Sequence, residues 1–193
     1  MRLRIIQREF QDSIEMIEKF FPLRRGVENH AEFTEYIIEH RHAASEQLKS
    51  DAEVTDPPAF SIPPLGTRYP RSSMPALEAA AFVQRNYPDR FDAFDLALFQ
   101  AFFTRTEDIS NIDFLVRLAF DYNISMETLR EALESRQFRE TVMKDFRVAA
   151  EEFGVTGIPT VILPDQFPIV GAVATSQYRE AVQRAIRERV HAP

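Results

Sequence analysis

Phe153-Gly-Val-Thr-Gly-Ile-Pro-Thr-Val-Ile-Leu163 decides how the rest of the chain is read. It has the pattern of a helix end, a tight loop, a proline and then a strand. Gly154 and Gly157 can take the positive φ that ends a helix and turns the chain. Val161, Ile162 and Leu163 form a short apolar run, which predicts a strand buried on both faces. Pro159 stands at the mouth of that strand, where a residue without an N–H is tolerated. Two forms of the bond before it fit the pattern. Composition alone favours an ordinary trans proline at a strand entry. A cis bond, which is usually a deliberate feature, would turn the backbone of Ile158 outward, free to pair with an extended peptide.

Downstream, Pro164, Asp165 and Gln166 predict a turn and residues 167–170 a partner strand, together a hairpin. Thr175 is a candidate N-cap. Tyr178, Val182, Ile186 and Val190 give a final amphipathic helix, and Arg187, Arg189 and His191 suit the negative end of its dipole.

Upstream lies a helical block. Ser73 with Pro75 marks the start of one helix, whose face carries Leu77, Ala80, Ala81 and Gln84. Phe91, Phe94, Phe99, Phe102 and Phe103 have the spacing of a core helix. Asp108 and Ser110 offer caps for a helix carrying Ile112, Leu115, Leu118 and Ala119, closed by Asn123. Ser125 with Thr128 starts the next, and residues 137–153 form the last, with Val142, Phe146 and Ala149 inward.

Before the block, Pro57, Pro58, Pro63, Pro64 and Pro70 mark an extended connector. Residues 31–49 read as a polar helix with sparse apolar positions at Phe33, Ile37 and Leu48. His30, His40 and His42 lie near Glu35 and Glu39, but the latter two histidines are two apart and point to different sides of a helix, so solvated surface positions are expected and no metal site. At the start, Leu3, Ile6 and Phe10 predict a short helix over residues 1–11, and residues 14–21 alternate as a strand, with Ile14, Met16 and Glu18 on one face.

The chain has 193 residues, 45% of them hydrophobic and 27% charged, which suits one globular domain with a substantial core. A net charge of -7 argues against nucleic acid as a partner. No apolar run is long enough to span a bilayer, and no charged-then-apolar leader opens the chain, so a cytoplasmic location without a membrane partner is expected. There is no cysteine, which removes thiolate metal sites, thiol nucleophiles and dithiol exchange by this chain.

The loop at Gly154 to Thr160, the hairpin ending Ile169-Val170-Gly171-Ala172, the Phe20-Phe21-Pro22-Leu23-Arg24 segment and the order of the helical block resemble the DsbA-like thioredoxin-fold family. The branch with FrnE-type dithiol oxidoreductases is the most similar. The 2-hydroxychromene-2-carboxylate isomerases and kappa-class glutathione transferases are more distant. The resemblance implies an α/β fold: a thioredoxin-like core with an inserted α-helical domain, N-terminally incomplete in this chain. It divides the chain into residues 1–56 and 151–193 of the core, a connector at 57–72 and the insertion at 73–150.

In that family a cis-proline, matched by Pro159, faces a Cys-x-x-C motif. The motif and the first strand would lie before Met1. Three explanations are open: a truncated gene product or mis-set start, a gap closed by direct pairing or by a second chain, or Leu3 to Gln7 being the missing strand. The resemblance also implies that Gly157, Ile158, Pro159 and Thr160 bind the substrate, an extended peptide or a glutathione-like thiol. A homodimer is possible, and no cofactor is expected. Three functions follow: a disulfide oxidoreductase relative without dithiol activity of its own, a glutathione-dependent isomerase or transferase, and a non-catalytic peptide-binding module.

Overall fold

The computed structural model describes residues 1–26, 31–164 and 166–190. In chain order the elements are α1 (Arg2–Glu9), α2 (Glu35–Lys49), α3 (Met74–Asn86), α4 (Pro88–Phe103), α5 (Ile112–Phe120), α6 (Met126–Glu134), α7 (Arg139–Arg147), β1 (Thr160–Val161), β2 (Ile169–Val170) and α8 (Thr175–Val190). A π-helical turn, Val148–Glu152, follows α7 directly. The chain divides into two units.

The larger unit comprises Lys19–Ser45 and Pro58–Arg147. Residues 19–45, which the resemblance groups with the thioredoxin core, share this compact unit with the helical block. Its core is apolar. Phe94, Leu115, Leu129, Val83 and Val142 are fully enclosed, and the rings of Phe82 and Phe138 meet edge to face at 5.7 Å. Helix α3 is buried almost all round, from Met74 through Val83, rather than along one face, because its alanines let neighbouring helices approach from several sides. Phe91 and Phe94 of α4 point inward as predicted, whereas Phe99 is exposed.

Caps set several boundaries. Ser125 accepts from the Thr128 amide, as its spacing predicts. The cap of α5 is Asn111, whose side chain accepts from the amides of Asp113 and Phe114, and not Asp108 or Ser110. Those two bond each other instead. Ser73 makes no capping bond: its hydroxyl donates to the Arg24 carbonyl, and Ser72 takes the Met74 amide. Asn123 takes a left-handed conformation just past α5, as suits asparagine.

Helix α2 starts at Glu35, later than the predicted residue 31, because residues 31–33 are extended and Glu32 forms a bridge with Arg68. His40 and His42 are exposed, and the His40 ring lies 3.9 Å from that of Tyr36; His30 and His191 fall outside the described residues. On α2 the buried residues are polar, Arg41 and Ser45. Arg41 donates to the carbonyls of Phe102 and Phe103 at 2.6 and 2.7 Å, closing the C-terminal end of α4 with a positive charge. Its guanidinium sits over the rings of Phe33, Phe102 and Phe103. Burial pulls its pKa down, with Tyr69 opposing.

The smaller unit comprises Met1–Glu18, Glu46–Pro57 and Val148–Pro193. It has a short apolar core in which Ile6 of α1 meets Tyr178 and Val182 of α8, with Leu3, Phe10, Val161, Leu163 and Ile169 packed around them. Residues 3–7 lie within α1, so they are not the missing strand. Residues 14–20 alternate between covered and exposed, as a strand should, with Ile17 66% exposed, yet they pair with no described strand. The predicted strand is therefore only an extended segment. Its alternation was encoded; a neighbour to supply ladder hydrogen bonds is absent among the described residues.

Candidate functional site

The loop from Gly154 to Pro159 is shaped by a few specific bonds. Gly154 has φ +62°, ends the π-helical turn and lets the Val155 amide reach back to the Ala149 carbonyl at 2.9 Å. Val155 is then buried. Gly157 does not take a positive φ, and a β-carbon there would meet nothing within 4 Å, so the turn does not require glycine at this position. The Thr160 hydroxyl donates to the Gly157 carbonyl at 2.7 Å and closes the loop. The Ile158–Pro159 peptide bond is cis.

Strands β1 and β2 form an antiparallel pair, with Thr160 opposite Val170 and Val161 opposite Ile169. The pair continues backward one step, because the Gly171 amide donates to the Pro159 carbonyl at 2.8 Å. In an antiparallel ladder, bonded and non-bonded positions alternate. Pro159 and Val161 therefore direct their carbonyls at β2, and Ile158, Thr160 and Ile162 direct their backbone groups the other way. No described strand lies on that side. The result is an open edge of three alternate residues.

The same alternation sorts side chains. Val161, Leu163 and Ile169 pack on α1 and α8. Ile158, Ile162 and Val170 face outward and are 48, 39 and 57% exposed. The predicted burial on both faces is thus corrected to burial on one. The strand is also shorter than predicted, because its pairing with β2 takes in only Thr160 and Val161.

In the same unit a polar clamp ties α1 to the end of the hairpin and to the start of α8. The buried Arg2 guanidinium bonds the Asp51 carboxylate at 2.6 Å, the Ala172 carbonyl at 3.0 Å and the Gln47 carbonyl. Asp51 in turn accepts the Thr175 amide and hydroxyl, each at 2.9 Å, and so caps α8. Burial alone would raise the Asp51 carboxyl. The Thr175 amide, the Arg2 guanidinium, the Thr175 hydroxyl and the Glu53 amide outweigh it and hold its pKa at about 2. The Tyr178 hydroxyl donates to the Gly171 carbonyl at 3.0 Å, tying the hairpin to α8, and burial of that phenol pushes its pKa up. Arg179 adds a fork to Glu9 and Glu53.

Gly157, Ile158, Pro159 and Thr160 thus lie together at one edge. None of them can titrate near neutral pH, so the edge offers backbone hydrogen bonds and apolar surface but no acid, base or thiol. The clamp was not foreseen. Thr175, expected as the N-cap, is instead the first residue of α8 and donates to the capping carboxylate; Asp51 lies 124 residues away, and no local pattern links the two.

Among the described residues no helix is long and apolar enough to cross a membrane, and no group of three or more His, Cys, Asp or Glu is placed to hold a metal ion. The sequence is similar to an uncharacterised protein, YwbO, of Bacillus subtilis (strain 168), at 30% identity over 89 residues. That match takes in 46% of this chain and spans less than half, 44%, of the relative. The fold is similar to the crystal structure of a proposed protein disulfide isomerase from Nitrosomonas europaea, with TM-score 0.66, 18% identity, and 99% of this chain and 90% of that one covered. A thioredoxin-like α/β core carrying a helical insertion accounts for both the elements and this neighbour. The profile of the DSBA-like thioredoxin domain matches residues 1–183, and the chain belongs to that family.

Proposed function

We propose that this chain is a peptide-binding member of its family that performs no dithiol chemistry of its own. The observation that carries the reading is the open edge at Ile158, Thr160 and Ile162, with exposed Ile158, Ile162 and Val170 beside it, in a chain without cysteine. An extended peptide adds there as a strand: the ladder supplies affinity and the isoleucines a preference for apolar side chains at alternate positions. Disulfide exchange requires a thiolate, which this chain lacks. The same edge could take the backbone of glutathione. No side chain from Gly157 to Leu163 is a base able to activate its thiol, so the peptide reading is favoured over glutathione-dependent transfer or isomerisation.

The test is a titration of the labelled protein with a cysteine-free extended peptide bearing apolar residues at alternate positions, followed by amide NMR. The amides of residues 157–162 are expected to shift. Ile162→Pro removes one outward N–H without touching the bonds to β2, and weakens binding roughly tenfold, the effect of one hydrogen bond. Shifts that spare residues 157–162, or unchanged affinity in Ile162→Pro, overturn the assignment. In parallel, insulin is not reduced by this chain in a glutathione-free turbidity assay; measurable reduction would overturn the absence of dithiol chemistry.

A further inference from the structure

The helical unit contains a second feature that its packing does not explain. A cavity of about 530 Å³ lies between the C-terminal end of α4, helix α5 and the start of α6. That volume falls within the range of small-ligand sites, about 300–1,000 Å³. Its apolar wall includes Phe114, Phe120 and Met126. Phe120 is 67% and Met126 39% exposed, so this wall keeps large apolar surface in water that the fold could have covered.

The polar wall carries Arg105, Arg117 and Asp121. Neither arginine side chain makes a hydrogen bond or ion pair with a described residue. Arg130, Arg139 and Arg147 of the same unit each find a carboxylate. Asp121 is one helical turn beyond Arg117, yet the two are not paired. An overall charge of -7 makes two unneutralised guanidinium groups at one cavity all the more distinctive. Guanidinium groups match a carboxylate in shape and charge. A single Asp at the rim repels a second negative charge.

We infer that this cavity binds a small amphipathic monocarboxylate, its carboxylate on Arg105 and Arg117 and its apolar body against Phe114, Phe120 and Met126. The site lies wholly within the helical unit, and its occupancy does not depend on the β1 edge.

The experiment uses the full chain with 4-phenylbutyrate as probe, and with 4-phenyl-1-butanol as its uncharged match. Saturable amide shifts confined to residues 97–126 are expected for the acid. The alcohol binds at least tenfold more weakly. The doubly substituted Arg105→Gln, Arg117→Gln protein is expected to bind the acid at least tenfold more weakly too, with an unchanged circular dichroism spectrum because both side chains are exposed. Phe120→Ala weakens acid and alcohol alike. No saturation by the acid, equal binding of acid and alcohol, or shifts outside residues 97–126 would overturn the assignment.

Discussion

The two units solve the same problem with different chemistry. The helical unit closes over Phe94, Leu115, Leu129 and Val142, apolar side chains with no access to water. The smaller unit has a thinner apolar interior among its described residues, centred on Ile6, Tyr178 and Val182, and its hairpin has one bare face. A two-stranded hairpin is marginal unless it packs on something else. Here the support is α1 and α8, and those helices are tied together by Arg2, Asp51 and Thr175. Apolar burial distributes stability over many contacts. A buried polar clamp concentrates it in a few atoms, each of which must be satisfied. That concentration supports the end of the hairpin at Ala172 without covering its open edge.

The comparison breaks first at its strongest points. Phe94→Ala removes a fully enclosed ring and is expected to cost about 3–5 kcal/mol. Asp51→Ala leaves a buried arginine without its carboxylate and uncaps α8, a loss of the same order, about 3–5 kcal/mol. Chemical denaturation measures both totals, and hydrogen exchange separates them. Phe94→Ala deprotects the core amides of α3 to α6. Asp51→Ala deprotects α8 and the hairpin while the amides of α3 to α6 keep their protection. Equal deprotection of both units by either variant would show that the contrast is false.

A pH series sharpens the same point. The folded pKa of Asp51, about 2, lies below its ordinary value. Its contribution is therefore fully present above the usual carboxylate range near 4 and is lost as pH falls towards about 2. Acid unfolding of α8 and the hairpin, followed by amide NMR between pH 5 and 2, should show this dependence in the parent chain and lack it in Asp51→Ala.

How much of this was legible follows from the range of each interaction. The Gly154 turn, the hairpin and the Ser125 cap depend on neighbours a few residues apart, and local pattern is enough to find them. Residues 14–20 carry a true strand alternation, but a strand exists only with a partner, and the pattern of one segment cannot supply it. The apolar side chains from Val161 to Leu163 predict burial on both faces; the open face at Ile158, Ile162 and Val170 depends on what does not lie beside it. Arg2, Asp51 and Arg41 belong to residue types that are seldom buried unless paired, so nothing local marks them as buried. Their partners are carbonyls and carboxylates far away in sequence. The cavity at Arg105 and Arg117 is likewise formed by three helices, and no single stretch announces it.

The smallest expected effect tests the polar side of the comparison inside the helical unit. Glu78 of α3 is buried, and its nearest cation, Arg139, is 3.8 Å away, too far for a hydrogen bond. Burial pushes the Glu78 carboxyl up, opposed by Arg139 and Arg136. The sign is opposite to that of Asp51. A carboxyl whose folded pKa is raised binds its proton more tightly in the native state, so stability falls as pH rises from the ordinary carboxylate range through the folded value. Glu78→Gln keeps the shape and removes the charge. It should leave stability nearly unchanged near pH 4 and raise it near pH 7. Urea denaturation of the parent and variant at the two pH values checks this. A loss at pH 7 would mean that the attraction of Arg139 and Arg136 exceeds the cost of burial, and that Glu78, like Asp51, holds its unit together by charge.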